Sequence, residues 1–151
     1  MRKSLSAILA LVFLSAPAFA SDTANHTVTV TVSAVNEVAI SGGNVALNIG
    51  STYAASDSTT ADLSWSTNES SKKITVVSDL STIAYPLLVQ ATSVSGGTSA
   101  GSVTLSDTAQ DLVTGISLTD GSADLSYSAS ATASDGTGVE AHTITYTILG
   151  S

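Results

Sequence analysis

Few side chains in this sequence could take part in acid–base or nucleophilic chemistry. The chain has no cysteine, and its only histidines are His26 and His142. A nucleophilic triad needs a histidine that contacts a serine or cysteine and is oriented by a carboxylate. Both histidines fall in predicted β-strands, each beside a threonine, and no His/Cys cluster has metal-ligand spacing. The sequence therefore predicts a protein that is not an enzyme and has no cofactor.

Calcium is the ion that the sequence could best accommodate. Asp120 and Asp124 enclose Gly-Ser-Ala, and Asp135 opens Asp-Gly-Thr-Gly. Both stretches are predicted loops, where carboxylates and free carbonyl groups suit a hard cation. Neither matches an EF-hand, and Asp-Gly is also a frequent turn dipeptide. We expect turns at both places, with calcium as the weaker alternative.

Three larger side chains have either a structural or a chemical interpretation. Trp65 could stack against a sugar, but it shares strand parity with Ala61 and Leu63, which favours a core position. Lys72 or Lys73 could form an isopeptide bond with a buried carboxyl side chain, as in some surface adhesins.

The first 20 residues have the composition of a cleaved export signal. Arg2 and Lys3 are followed by an apolar run over 5–14 and by the small-x-small sequence Ala18-Phe19-Ala20. The apolar run is too short to span a bilayer comfortably. We therefore predict cleavage after Ala20, a secreted, extracellular protein, and no membrane association afterwards.

The exported chain is strongly acidic. Lys72 and Lys73 are its only cationic residues and stand against all twelve acidic residues, which gives a formal net charge of −10. Nucleic acids and anionic membranes are bound by basic patches, so neither is expected as a partner. Without disulfides, stability must come from one hydrophobic core and from backbone pairing.

Hydrophobic alternation with a period of two recurs along the chain. Such runs are typical of β-strands. They cover 37–41, 44–49, 61–65, 72–78, 87–92, 102–106, 123–132 and 141–149, while 108–116 would fit either a strand or a short helix. The last two runs are predicted to pair as a hairpin. Many short strands separated by turn signals favour a single immunoglobulin-like β-sandwich of eight or nine strands, with a barrel as the second choice.

The stretch 26–34 is the most regular of these runs. Thr27, Thr29 and Thr31 alternate with Val28, Val30 and Val32, and no Lys, Glu or Pro interrupts them. Burying three valines contributes about 5–9 kcal/mol, whereas ordering some eight residues costs about 8–16 kcal/mol of backbone entropy. The side chains alone cannot hold this strand, so it needs ladder hydrogen bonds along its length.

Together, the signal peptide, this alternating strand, the cysteine-free Ser/Thr-rich sandwich and the closing Thr-Ile-Thr-Tyr-Thr-Ile run resemble secreted filament subunits of the donor-strand-complementation type. These include chaperone–usher pilins and biofilm-matrix or thread-like fibre subunits. The resemblance implies a homopolymer on the cell surface, in which one copy's N-terminal strand fills the next copy's groove. The implied donor strand is Thr27, Val28, Thr29, Val30, Thr31, Val32 and Ser33.

The sequence patterns predict a division of the chain into a signal peptide (1–20), an N-terminal strand (21–35) and a β-sandwich domain (36–151). The chain departs from chaperone-dependent pilins because it lacks a disulfide and because Tyr146 is not penultimate. We therefore expect assembly without a dedicated chaperone. The alternative is a monomeric secreted β-sandwich that serves as an adhesion or carbohydrate-binding module, with host or surface glycans as partners.

Overall fold

The structure, a computed structural model, describes residues 22–151, so the predicted signal peptide lies outside the described residues. Within this part of the chain there are nine strands and one short 3₁₀-helix. They are β1 (Asn36–Gly42), β2 (Ala54–Thr67), β3 (Lys72–Ser78), β4 (Leu87–Ser95), β5 (Thr98–Ser99), β6 (Ser102–Thr104), β7 (Gln110–Ile116), β8 (Thr119–Ser130), the 3₁₀-helix (Ala133–Asp135) and β9 (Ile144–Gly150). The chain divides into two compact units, one ending at Val32 and one comprising Ser33–Ser151.

All nine strands belong to the second unit and form two antiparallel sheets. One sheet has the order β1-β2-β8-β4-β6, and the other has the order β5-β7-β3-β9. Burial alternates along the strands as the sequence predicts: Ala61, Leu63 and Trp65 are buried, whereas Asp62 and Ser64 are exposed. The all-β prediction is therefore confirmed, and the architecture is a β-sandwich.

The hydrophobic core lies between the two sheets. The first sheet contributes Leu63, Val89 and Leu125, and the second contributes Ile74, Leu112 and Ile116, all of which are fully buried. Each such side chain stabilises the fold by about 1.5–3 kcal/mol relative to exposure. Strand β7 resolves the ambiguity over 108–116, because Leu112, Val113 and Ile116 are core residues on a strand.

Within the second unit, two predictions about strands are wrong. Residues 44–49 form no strand, although Val45 and Leu47 alternate inward and pack against the core. The predicted final hairpin does not form either, since β8 pairs with β2 and β4 while β9 pairs with β3 in the other sheet. Alternation reports which face of a segment is buried. It does not report which strand, if any, lies alongside it.

Candidate functional site

The two sides of the sandwich are closed to different degrees. At the side of β4 and β5, the chain passes from one sheet to the other, and Ser99 Oγ donates a hydrogen bond to the Ala91 carbonyl at 2.7 Å. The Ser78 amide at the end of β3 also donates to the Ser106 carbonyl, which follows β6, at 2.8 Å. Direct hydrogen bonds therefore join the two sheets there.

The opposite side is formed by β1 and β9, which are edge strands of different sheets. Among the described residues, β1 pairs only with β2, and β9 pairs only with β3. The outer backbone groups of both strands thus lack a ladder partner. Natural edges are commonly protected by lysine, proline or a bulge. Neither strand contains lysine or proline, and Glu37 is the single charged residue in the two.

A groove of about 220 Å³ runs between these two edges. It is lined by Val38, Ala39 and Ile40 of β1 and by Ile144, Thr145 and Tyr146 of β9. Its apolar walls are only partly covered, and Ile40 is 46% exposed. The groove is therefore an apolar slot that lies between two unpaired backbone edges.

Tyr146 lines the groove and is hydrogen-bonded to a residue of the first sheet. Its hydroxyl is hydrogen-bonded to that of Tyr127, a buried residue of β8. Burial raises the pKa of both phenols, so both hydroxyls stay protonated through the neutral range. The polar atoms in this region are thus paired with each other, which leaves an apolar surface for an occupant of the groove.

The described part of the N-terminal unit, residues 22–32, contains no strand. Val28, Val30 and Val32 are 71%, 82% and 79% exposed, and His26 is exposed as well. The strand predicted over 26–34 is therefore not formed in the single chain. Its side-chain pattern is that of a strand, and what it lacks is a ladder partner.

Asn68 fixes the point at which the chain enters the sandwich. Its side-chain Nδ2 donates to the Ser33 carbonyl at 2.7 Å, and its Oδ1 accepts from the Val35 amide at 2.8 Å. Its backbone amide donates to the Val35 carbonyl at 3.3 Å. These bonds continue the register in which Asn36 faces Thr67. Residues 33–35 are therefore held alongside the end of β2.

The fold also assembles a serine, histidine and carboxylate that the sequence analysis did not connect. Ser78 Oγ lies 2.9 Å from His142 Nδ1, and His142 Nε2 lies 2.8 Å from Glu140 Oε1. Ser78 is only 2% exposed and its Oγ also accepts from the Leu80 amide, so a substrate cannot reach the hydroxyl. The cluster instead joins the end of β3 to the segment that leads into β9.

A neighbouring pair strengthens the same junction. The Asp79 amide donates to the Thr143 carbonyl at 3.1 Å, and Asp79 Oδ1 accepts from the Thr143 amide at 2.8 Å. The hydrogen bonds from Thr143 lower the pKa of the Asp79 carboxyl. This is the environment of a structural carboxylate, because it stabilises the charged form.

The sequence also contains a motif with the spacing of a catalytic nucleophile elbow, and the fold does not use it as one. Residues 97–101 read Gly-Thr-Ser-Ala-Gly, the Gly-x-Ser-x-Gly spacing of a nucleophile elbow. Such an elbow requires a strand, a sharp turn and a helix. Here Ser99 lies in β5, and its Oγ bonds to the Ala91 carbonyl and the Gly101 amide. The serine is a structural residue of β5, which pairs with β7.

The candidate calcium ligands do not come together. Asp120 and Asp124 were expected in a loop but lie within β8, where Asp124 faces Asp62 of β2. Asp135 lies in the 3₁₀-helix, and its Oδ2 accepts from the Thr132 amide at 2.6 Å. Within residues 22–151, no group of three or more His, Cys, Asp or Glu side chains is arranged to hold a metal.

Trp65 lies in the core, as predicted from its strand parity, and is 4% exposed. Its indole packs over Gly121 of β8, its partner in the strand register. The tryptophan is therefore not a surface platform for a sugar.

Lys72 and Lys73 lie at the start of β3. Lys72 forms an ion pair with Glu69 at 2.8 Å, and Lys73 forms one with Asp111 at 2.9 Å.

Comparison of the chain with known protein families, curated proteins and solved structures found no match. No helix in residues 22–151 is both long enough and apolar enough to cross a membrane.

Proposed function

We propose that this chain is the structural subunit of an extracellular filament, and that residues 27–33 of one copy insert into the groove between β1 and β9 of the next. The observation that carries the proposal is the groove itself, which combines an apolar floor with an unpaired backbone edge on each side. An added strand can form ladder bonds with both edges, which is how extended peptides are captured by β-augmentation.

The size and period of the N-terminal strand suit this groove. Val28 and Val32 are four residues apart, which spans about 13 Å in an extended chain. On β9, Ile144, Tyr146 and Ile148 share one face over the same number of residues and pack against the core. Ile144 and Tyr146 line the groove, so alternating valines would meet alternating positions of its wall while the threonines face solvent.

The path of the chain favours insertion into a neighbouring copy. A return of residues 27–33 onto the outer edge of their own β1 needs a tight turn just before Asn36. The backbone groups of Ser33 and Val35 are already bonded to Asn68 in an extended register. Folding back within the chain would cost these hydrogen bonds, about 0.5–1.5 kcal/mol each, whereas insertion into a second copy keeps them.

The alternative of a glycan-binding monomer receives less support. Its proposed stacking residue, Trp65, lies in the core. An exposed aromatic platform is the usual means of binding a sugar ring, and a buried indole cannot serve as one.

The test is a pair of single substitutions in the predicted donor strand. Val30→Asp places a charge on the face that enters the groove and should abolish filaments, because a buried unpaired charge is strongly disfavoured. Thr29→Asp adds the same charge to the opposite face and should leave filaments intact. Negative-stain electron microscopy and light scattering of residues 21–151 report assembly, and the fluorescence of Trp65 reports folding.

A second experiment uses the chain without residues 21–32. This variant should fold, remain monomeric and bind a synthetic peptide of residues 26–34, with a rise in Tm. Equal polymerisation of Val30→Asp and Thr29→Asp, or polymerisation of the truncated chain, would contradict the proposal.

A further inference from the structure

Four polar residues from β1, β2, β3 and the turn between β2 and β3 meet at one end of the sandwich. Glu69 Oε2 accepts a hydrogen bond from Asn36 Nδ2 at 2.5 Å and lies 2.8 Å from Lys72 Nζ. Thr67 Oγ1 donates to Asn36 Oδ1 at 2.8 Å. The Glu69 carboxylate oxygen thus contacts both the Lys72 amine and the Asn36 amide nitrogen. The Thr67 hydroxyl polarises the carbonyl group of the Asn36 side chain.

We propose that Lys72 and Asn36 condense to an intramolecular isopeptide bond with Glu69 as the proton relay. The Lys72 ammonium transfers a proton to the Glu69 carboxylate, and Nζ attacks Asn36 Cγ as the carbonyl electron pair moves onto Oδ1. The electron pair then returns, the Cγ–Nδ2 bond breaks, and Nδ2 takes up protons that came from Nζ. Overall, one ammonium and one primary amide give one secondary amide and one ammonium ion, with no oxidant or co-reactant.

The cluster holds its reacting groups close together. The Lys72 side chain is only 16% exposed, and its Nζ lies 2.8 Å from the carboxylate oxygen that also binds the Asn36 side chain. Thr67 is 4% exposed, so its hydroxyl is held on Asn36 Oδ1, where charge develops during the attack. Hydrogen bonds from Asn36 and Lys72 lower the pKa of Glu69, so its side chain is a carboxylate, and that carboxylate is positioned between the two nitrogen atoms that exchange protons.

The bond would join β1 of one sheet directly to β3 of the other. Asn36 is the first residue of β1 and follows the segment that Asn68 holds. In a filament built as proposed above, tension on the N-terminal strand would enter the sandwich at this position. The covalent link is argued from the cluster alone and does not depend on polymerisation.

Intact-mass spectrometry of denatured residues 21–151 tests the proposal. The wild-type protein should be lighter than its sequence mass by one ammonia, either when purified or after prolonged incubation. Lys72→Arg and Glu69→Gln should retain the full sequence mass of each variant. Lys73→Arg is the matched control, because Lys73 pairs with Asp111 and not with this cluster, and it should show the same loss as wild type.

Tryptic mapping locates the bond, since trypsin should cleave after Lys73 but not after a modified Lys72. A wild-type protein that keeps its full mass after incubation would overturn the proposal. So would an ammonia loss that persists in Lys72→Arg, because that loss would come from cyclisation of an asparagine with its own backbone.

Discussion

The hydroxyl of Tyr127 in β8 is hydrogen-bonded to the hydroxyl of Tyr146 in β9, so a side-chain bond crosses from one sheet to the other beside the groove. Tyr127 is 8% exposed, and Tyr146 lines the groove. This pair supplies a directional bond between the sheets. It therefore holds β9, one of the two strands that would receive an inserted strand, against the first sheet.

Removing both hydroxyls of this pair should cost less than the sum of the costs of removing each one alone. Tyr127→Phe or Tyr146→Phe leaves the other hydroxyl without its partner, which should lower the free energy of unfolding by about 1–3 kcal/mol. The double substitution removes both polar groups and should cost less than the sum of the single effects. Urea unfolding of the four proteins measures the coupling, and strictly additive effects would show that the hydrogen bond contributes nothing.

Gly121 should tolerate no side chain, because Trp65 occupies the space above it. A Cβ at Gly121 would lie 2.2–2.4 Å from three atoms of the indole ring. Gly121→Ala should therefore displace the indole and cost about 1–3 kcal/mol, as overpacking of a core does. Gly43→Ala is the control, since a Cβ there has no neighbour within 4 Å. Unfolding followed by Trp65 fluorescence compares them, and equal stabilities would refute this packing.

Acid should weaken the junction between β3 and β9 through Asp79. Hydrogen bonds from Thr143 lower the folded-state pKa of Asp79 from 3.8, so the ionised carboxylate stabilises the folded protein above that pH. This stabilisation is lost as the pH falls below 3.8 and through the folded-state pKa. Asp79→Asn should flatten this part of the Tm–pH curve. Asp107→Asn is the matched control, because it removes the same charge from a carboxylate that has no hydrogen bond to the described residues. Identical curves for the two variants would contradict the assignment.

Asn68 should control how firmly the start of β1 is held. Asn68→Ala removes the side-chain bonds to Ser33 and Val35, each worth about 0.5–1.5 kcal/mol. Hydrogen exchange at the Val35 amide should become faster, because its acceptor is the Asn68 side chain. Asn44→Ala, at an exposed loop position, is the control. An unchanged exchange rate at Val35 in Asn68→Ala would show that Asn68 does not anchor this segment.

The sequence by itself determined the fold class and many of the strands. Alternation located β3 at 72–78 and placed Leu63, Trp65 and Leu125 on inward faces. Alternation identifies such strands because a strand buries every second side chain, and this pattern depends only on residues that are neighbours in the sequence. Reading that local pattern requires no knowledge of the neighbouring strands.

Only the tertiary structure decided which strands are neighbours and which edges stay unpaired. The predicted β8–β9 hairpin failed because the chain changes sheets after residue 130, an outcome set by packing of the whole core. The groove between β1 and β9, and the contact of Asn36 with Glu69, join residues that are far apart in sequence. Residue types and periods are local quantities, whereas strand partners and side-chain clusters depend on how distant segments meet.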